Sequence, residues 1–366
     1  MMSRLSRYVF WQTLVGIAGA AAVILAVIVL VDFVETSRDI ATRAGISALQ
    51  VLQLTFLKAP LLIQETLPFI VLFGVLFTFF RLSRRSEFIV MRASGYSAWG
   101  IMAPAAALTI ALGVFSAGVL NPAGAAANAR FEILRDQLLE GRTGAASGAS
   151  ADVWLREADA DGFTIITAAS IDPDSAELIS PLFRRYVRNA GGAPMIDRRI
   201  TADSAALRGG FWTLTGAAES QPGEATRALG DIALPTQTGR QALFERVRSP
   251  GATSFWALPG VIESARAAGL SSRAYELRWH GLLAQPLLLF AAAMLAGAAT
   301  FRLHRLGGAT GFAAAGATAG FLLYFTQELL LGLGASGTLN PMTAAWTAPA
   351  LFALGGVFFV AATEDG

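Results

Sequence analysis

The sequence predicts an α-helical membrane protein with six transmembrane helices, three on each side of an inserted all-β domain. Three observations carry this. Long apolar runs lie toward both ends of the 366-residue chain. A polar stretch, residues 123–272, separates them and breaks into short runs of strand length. The composition is 54% hydrophobic and only 15% charged, whereas soluble domains carry about 25% charged residues.

A transmembrane helix needs roughly 20 apolar residues. Val9–Val31 carries no charge and meets that length. Arg4 and Arg7 precede it, as in a signal peptide, but the run exceeds the roughly 7–15 residues of a signal h-region, so it reads as an uncleaved first span. The second run is Pro60–Phe80, with Pro60 expected near the helix start, where its missing N–H costs little. The third is Ala98–Leu120, expected to end at Asn121-Pro122. The remaining spans are expected at Leu282–Phe301, Ala309–Gly332 and Thr343–Ala362. With a cytoplasmic N-terminus, the inner faces carry Arg4, Arg7, Arg81, Arg84, Arg85, Arg92, Arg302 and Arg305. The short outer loops then carry only Arg38, Arg43 and Lys58, as the positive-inside rule requires. Both termini lie inside and the large segment outside.

The domains follow: 1–122 with spans one to three, 123–272 as the outer β domain, and 273–366 with spans four to six. Within the outer segment, Asp152–Glu157 and Phe163–Ile171 flank Ala-Asp-Gly as a hairpin. Leu182–Arg188, Met195–Leu207, Phe211–Ala217 and Ala228–Leu234 follow as strands, broken by Gly191-Gly192 and Gly209-Gly210. Short, evenly spaced strands with glycine turns predict a sandwich or jelly roll. Gly141–Ser150 is low in complexity, and Phe255–Leu270 has a helical pattern leading back to the membrane.

Several function classes fall away. The net charge of +2 is too small to imply nucleic acid, and without cysteine there is neither a disulfide nor a thiolate metal site. The single lysine, Lys58, follows Leu57, so no Gly-Lys-Ser/Thr phosphate loop exists. His280 and His304 are the only histidines, no HExxH or GxSxG occurs, and nothing argues for a catalytic or metal site.

Two groups of residues point to function. The first is Arg84–Gly95, a basic amphipathic stretch between two apolar runs. A solvated basic loop accounts for its arginines alone. Two details favour a docking helix: Ser86 is placed to cap it, and Phe88, Val90 and Met91, with Ile89 and Arg92 beside them, give it an apolar side. Glu87 is an isolated acid among Arg84, Arg85 and Arg92, suited to an ion pair with a partner, and Gly95 is placed to end the helix. The second group is polar residues in or near the spans: Asp32, Glu35, Arg38, Lys58, Gln64, Glu65, Arg278, His280, Gln285, Gln327 and Glu328. All fall toward the outer ends, which suits interfacial snorkelling or a bundle opening to an amphiphile with a charged head. Arg38, Arg43 and Lys58 are then the natural phosphate contacts, since arginine grips phosphate with two parallel bonds. Small residues at Gly16–Ala22, Gly297–Ala299 and Gly311–Gly320 allow close helix approach.

Residues along the chain resemble the LptF/LptG permeases of the lipopolysaccharide exporter. The most specific are Ser86-Glu87 with Met91-Arg92-Ala93-Ser94-Gly95. Leu67-Pro68 with Leu72-Phe73-Gly74, Trp154-Leu155, Phe211-Trp212-Thr213-Leu214, Ala284-Gln285-Pro286, Arg302–Gly308 and Glu364-Asp365-Gly366 support them. Val31-Asp32-Phe33 and the Met-Arg-Ala-Ser-Gly wording look more like LptG than LptF.

The resemblance implies that the outer domain is a periplasmic β-jellyroll and that the protein sits in the bacterial inner membrane. It implies that Arg84, Arg85, Ser86, Glu87, Phe88, Met91, Arg92 and Gly95 form a coupling helix that docks on an LptB-like ATPase dimer. It further implies an LptF-like permease as heterodimer partner and an LptC-like single-span protein. Lipopolysaccharide is then drawn from the outer leaflet and passed to a periplasmic bridge. No cofactor is implied for this chain; ATP and magnesium belong to the partner ATPase. The expected lipopolysaccharide contacts are Asp32, Arg38, Arg43, Lys58, Glu65, Gln327 and Glu328. The chain departs from the LptG pattern of lysines around the outer end of the first span, which here ends in Val29–Val31, so the basic contacts are expectations of position. The residues leave two alternatives: a mechanotransmitting permease that passes no lipid through its spans, and an envelope-assembly scaffold.

Overall fold

The computed structural model describes residues 4–41, 47–140, 153–158, 162–168, 170–172, 177–188, 194–221, 226–236, 239, 251–267, 270–303 and 309–364. Arg43, Gly141–Ser150, His304 and Arg305 lie outside the described residues. The chain forms two compact units. One holds Met1–Arg142, Gly251–Pro259 and Arg273–Gly366; the other holds Thr143–Pro250 and Gly260–Ser272.

The first unit is helical. In order come α1 (Arg4–Ala41), α2 (Ala48–Arg84), α3 (Glu87–Ala93) and α4 (Ala98–Phe115). A π-helical turn at Ser116–Leu120 leads into α5 (Asn121–Glu140). After the sheet strands comes α6 (Leu258–Ala267), most of which belongs to the second unit; α7 (Arg273–Leu303), α8 (Ala309–Ser336) and α9 (Pro341–Glu364) complete the first. Among the described residues, five helical stretches are long and apolar enough to cross a membrane: Arg4–Arg38, Ala48–Arg84, Ala98–Phe131, Arg273–Thr300 and Pro341–Ala362. The fifth expected span, Ala309–Gly332, falls in α8, which has 28 residues but is not among the five.

Two helix ends differ from expectation. Pro60 does not start the second helix. That helix begins a dozen residues earlier, at a capping box in which Ser47 and Gln50 satisfy each other's backbone N–H groups. Lys58 is therefore a helix residue rather than a loop residue. Nor does Asn121-Pro122 end the third helix, which runs on as α5. A proline inside a helix leaves the carbonyl four residues earlier without its donor. For Pro122 that carbonyl is Gly118 O, and it accepts the indole N–H of Trp256 at 3.0 Å. The π turn and the indole together let the helix pass through a proline.

The core of this unit lies where α2, α4 and α7 meet. It contains Ile70, Val71, Leu72, Val75 and Phe79 of α2, Ile101, Met102 and Ala105 of α4, and Leu289, Ala292, Ala293 and Met294 of α7. In lipid, packing rather than water exclusion drives such association, so small residues matter. A methyl group on Gly113 would fall on the backbone of Pro286, and one on Gly297 would meet Met102. The expected close approaches at Gly16 and Gly320 are present too: the first meets Gly74 and Thr78, the second Leu72.

The second unit is a nearly closed antiparallel sheet of nine strands, β1 to β9. They are Val153–Ala158, Gly162–Ala168, Ser170–Asp172, Glu177–Ile179, Leu182–Arg188, Pro194–Thr201, Ser204–Arg208, Phe211–Ser220 and Arg227–Pro235. The order is β1-β2-β5-β6-β8-β7-β4-β3, with β9 on β8. The expected β1–β2 hairpin pairs Val153 with Ala168 through Ala158 with Phe163. Two expected strands are each split: Phe163–Ile171 into β2 and β3, and Met195–Leu207 into β6 and β7. Ala202 and Asp203 make the second break, where β8 exchanges one neighbour for the other. Gly209 and Gly210 both have positive φ, the requirement of a tight hairpin turn, and they join β7 to β8. Along β8, Trp212 and Leu214 point inward while Phe211, Thr213 and Thr215 are exposed. The core packs Ile166, Leu178, Phe183 and Ile200 around Trp212, whose ring meets Phe183 edge-on.

Candidate functional site

The basic stretch forms a helix between two turns. α2 ends at Arg85, and Ser86 takes a left-handed conformation at φ +60°. Ser86 holds the cap position but makes no side-chain cap bond, which corrects the expectation for it. Its left-handed backbone separates α2 from α3, and its N–H and carbonyl still bond to Ser83 O and Val90 N–H. The far end follows expectation: Gly95, at φ +86°, donates its N–H to Arg92 O, and Tyr96 donates to Met91 O. This is the paired 5→2 and 6→1 bonding that stops a helix at glycine.

The faces of α3 are divided differently from the sequence reading. Phe88 and Met91 are buried in this chain's own core, with Phe88 edge-on to Phe79. Both therefore anchor α3 within this chain. Ile89 and Val90 are 61% and 64% exposed, and with exposed Arg92 they form the free side. Arg84 is exposed over the Phe80 ring, and Arg85 is exposed beside it. Glu87 is not isolated: its Oε2 accepts the Tyr8 hydroxyl at 2.8 Å.

Tyr8 was missed in the sequence, hidden in the start of the apolar first span. Tyr8, Gln12 and Gly16 are spaced i, i+4, i+8 on α1 and face α2 and α3. Arg81 donates to the Gln12 side chain, Thr78 donates to the Gln12 backbone carbonyl at 3.2 Å, and Gly16 lies against Gly74 and Thr78. That polar i, i+4 stripe is the signal that finds it.

The polar residues of the spans do not converge on one open ring. Asp32 is buried and pairs with Lys58, Nζ to Oδ1 at 2.8 Å, and Thr36 donates to its other oxygen. Lys58 also lies over the Phe131 ring, 5.2 Å from its centroid. Lys58 and Asp32, both expected among the lipopolysaccharide contacts, thus neutralise each other within this chain. Gln64 and Gln285 also bond within the core. Gln64 donates to Gln285 and to Ser116 O, and accepts from Asn121 at 3.0 Å; Asn121 Oδ1 in turn accepts the Phe255 backbone N–H at 2.7 Å.

The remaining expected contacts are dispersed. Arg38 is exposed in the last turn of α1. Glu65 is exposed and within electrostatic reach of Arg278. On α8, Glu328 is exposed, while Gln327 is buried with its Oε1 unbonded among the described residues. No hydrogen bond or ion pair among the described residues joins Gln327 or Glu328 to the Asp32–Lys58 pair.

The pair makes a direct prediction. Lys58→Met leaves the Asp32 carboxylate buried without its cation, a change that costs about 3 kcal/mol. A thermal melt of the detergent-solubilised protein is expected to fall by several degrees. Lys58→Met with Asp32→Leu should recover most of it, because no unpaired charge remains.

The sheet unit holds a cavity of ≈470 Å³, lined by Ile166, Phe183, Ile200, Trp212 and Leu234, with Arg185 and Arg198 also on its wall. At its edge Glu157 of β1 accepts from the Trp212 indole and from the Thr236 hydroxyl, drawing the first strand toward β8 and β9. Among the described residues, no group of three or more metal-ligating side chains is present.

Comparison with known protein families gives a match over residues 7–361 to the model described as lipopolysaccharide export system permease LptF/LptG. The same comparison among curated proteins finds no match.

Proposed function

Because the chain belongs to the LptF/LptG family of lipopolysaccharide export permeases, we propose that it is the LptG-type permease subunit of an ABC-type exporter in the bacterial inner membrane. It pairs with an LptF-like permease and an LptC-like single-span protein. ATP and magnesium are bound by an LptB-like ATPase dimer, not by this chain. Lipopolysaccharide is extracted from the outer leaflet and passed to a periplasmic bridge. In this reading α8 is the fifth of six spans, both termini are cytoplasmic, and the sheet unit is a periplasmic jellyroll. The observation that supports it best is α3: anchored by Phe88 and Met91, it leaves Ile89, Val90 and Arg92 on a free side between two long apolar helices. Arg4, Arg7, Arg81, Arg84, Arg85 and Arg92 put this end of α1 to α4 on the cytoplasmic side by the positive-inside rule.

One observation favours a second reading, a permease that relays ATPase strokes without passing lipid through its spans. Lys58 pairs with Asp32, and Gln64 with Gln285, inside this chain. Photo-crosslinkers at exposed Arg38 and Glu328 decide between the two. In tagged complex purified from native membranes, the exporter reading expects lipopolysaccharide adducts at both positions, together with a co-purifying ATPase and second permease. Adducts absent from both, with the ATPase present, establish the relay. A chain that purifies with neither ATPase nor lipopolysaccharide defeats both readings and leaves the scaffold.

A further inference from the structure

We propose that Tyr8 is a positioning residue that fastens α3 to α1, so that a displacement of α3 reaches the first span directly and not only through α2. The inference rests on the reading of α3 as the ATPase-docking helix.

The attachments of α3 are few and of different kinds. To α2 it is joined by the left-handed Ser86, where the regular helix is interrupted, so α2 is not a rigid extension of α3. Phe88 and Met91 hold it by apolar packing, Phe88 edge-on to Phe79 of α2. The Tyr8–Glu87 bond is different: it is directional, it ends on a carboxylate, and it joins residues 79 positions apart in the chain. A shift of Glu87 along α3 either carries the Tyr8 hydroxyl with it or breaks the bond.

What Tyr8 grips is a rod. α1 is one uninterrupted helix from Arg4 to Ala41 with no proline inside. From Tyr8 to Asp32 it covers roughly 36 Å at 1.5 Å per residue, enough to cross a hydrocarbon core of about 30 Å. One end carries the bond to the docking helix and the other the buried ion pair with Lys58. Between them, Gln12 and Gly16 keep α1 in register against Thr78, Arg81 and Gly74. A push on α3 thus has a continuous physical route to the opposite face of the membrane, with the Tyr8 phenol as its first link.

The test is Tyr8→Phe in the complete exporter, reconstituted in vesicles and supplied with ATP and lipopolysaccharide. Phenylalanine keeps the ring and removes only the oxygen. The expected result is at least a fivefold fall in lipopolysaccharide delivered per ATP hydrolysed. A merely structural role lowers the yield of complex and both rates together, leaving that ratio unchanged; an unchanged ratio overturns the proposal. Val90→Asp, which does not touch Tyr8, checks the underlying reading separately. If the ATPase still co-purifies with Val90→Asp at the wild-type level, the docking reading falls and the Tyr8 link falls with it. If Val90→Asp loses the ATPase while Tyr8→Phe keeps the wild-type ratio, only the link is wrong.

Discussion

Val90→Asp is expected to reduce the ATPase co-purifying with the tagged chain by tenfold or more, with a matching loss of ATP turnover. Val90 lies on the exposed side of α3. If that side is seated on the ATPase, the new carboxylate is taken out of water without a partner, a penalty of several kcal/mol, and tenfold in affinity needs only about 1.4 kcal/mol. Glu87→Arg acts at the same place by adding a cation among Arg84, Arg85 and Arg92 and by removing the acceptor of the Tyr8 hydroxyl. Phe88→Asp is expected to behave differently. Phe88 is buried against Phe79, so its replacement lowers the yield and melting temperature of the chain itself before any partner is considered. Loss of the ATPase at unchanged stability for Val90→Asp, with loss of stability for Phe88→Asp, is the pattern that fits the face assignment. The opposite pattern reverses it.

Asn121→Leu is expected to be the most damaging single change away from that helix. Asn121 is fully buried and serves two neighbours at once: its amide N–H donates to Gln64 and its carbonyl oxygen accepts from Phe255 N–H. Leucine is similar in size and removes both bonds. The Phe255 N–H and the Gln64 oxygen then lose their partner, at about 1–3 kcal/mol each. A fall in melting temperature of several degrees or more is expected, larger than for Thr347→Ala, whose hydroxyl bond lies on an exposed surface. Trp256→Phe should produce a smaller loss by vacating the Gly118 carbonyl, since Trp256 is 69% exposed and water can replace the indole. If Asn121→Leu melts with the wild type, the buried network carries no stability.

Much of the helical unit was legible because membrane helices are written in one dimension. An apolar run of sufficient length must become a helix to satisfy its own backbone, so the apolar segments fell within α1, α2, α4, α7, α8 and α9. Their limits were not legible. Helices continue past the apolar run wherever caps and side chains satisfy the backbone, as Ser47 and Gln50 do ahead of α2 and Trp256 does at Pro122. In the sheet, alternation along Phe211–Thr215 and the Gly209-Gly210 turn were readable. The divisions between β2 and β3, and between β6 and β7, were not. They depend on which strand each piece pairs with: β2 lies between β1 and β5 while β3 pairs with β4, and β6 and β7 pair with different parts of β8.

Of the candidate residues, the sequence by itself determined where the α3 helix stops, since Gly95 adopts a backbone conformation that other residues resist. It also determined that one lysine and a few acids lie among the apolar runs. Only the tertiary structure decided what those groups face. Phe88 and Val90 were assigned to one apolar side, yet one is buried and the other exposed, because α3 packs on Phe79 through one side. Lys58 and Asp32 lie 26 residues apart and neutralise each other because α1 and α2 pack side by side. Glu87 gained Tyr8 for the same reason. Helical periodicity fixes which residues share a face; which face meets a neighbour is set by how helices from distant parts of the chain pack.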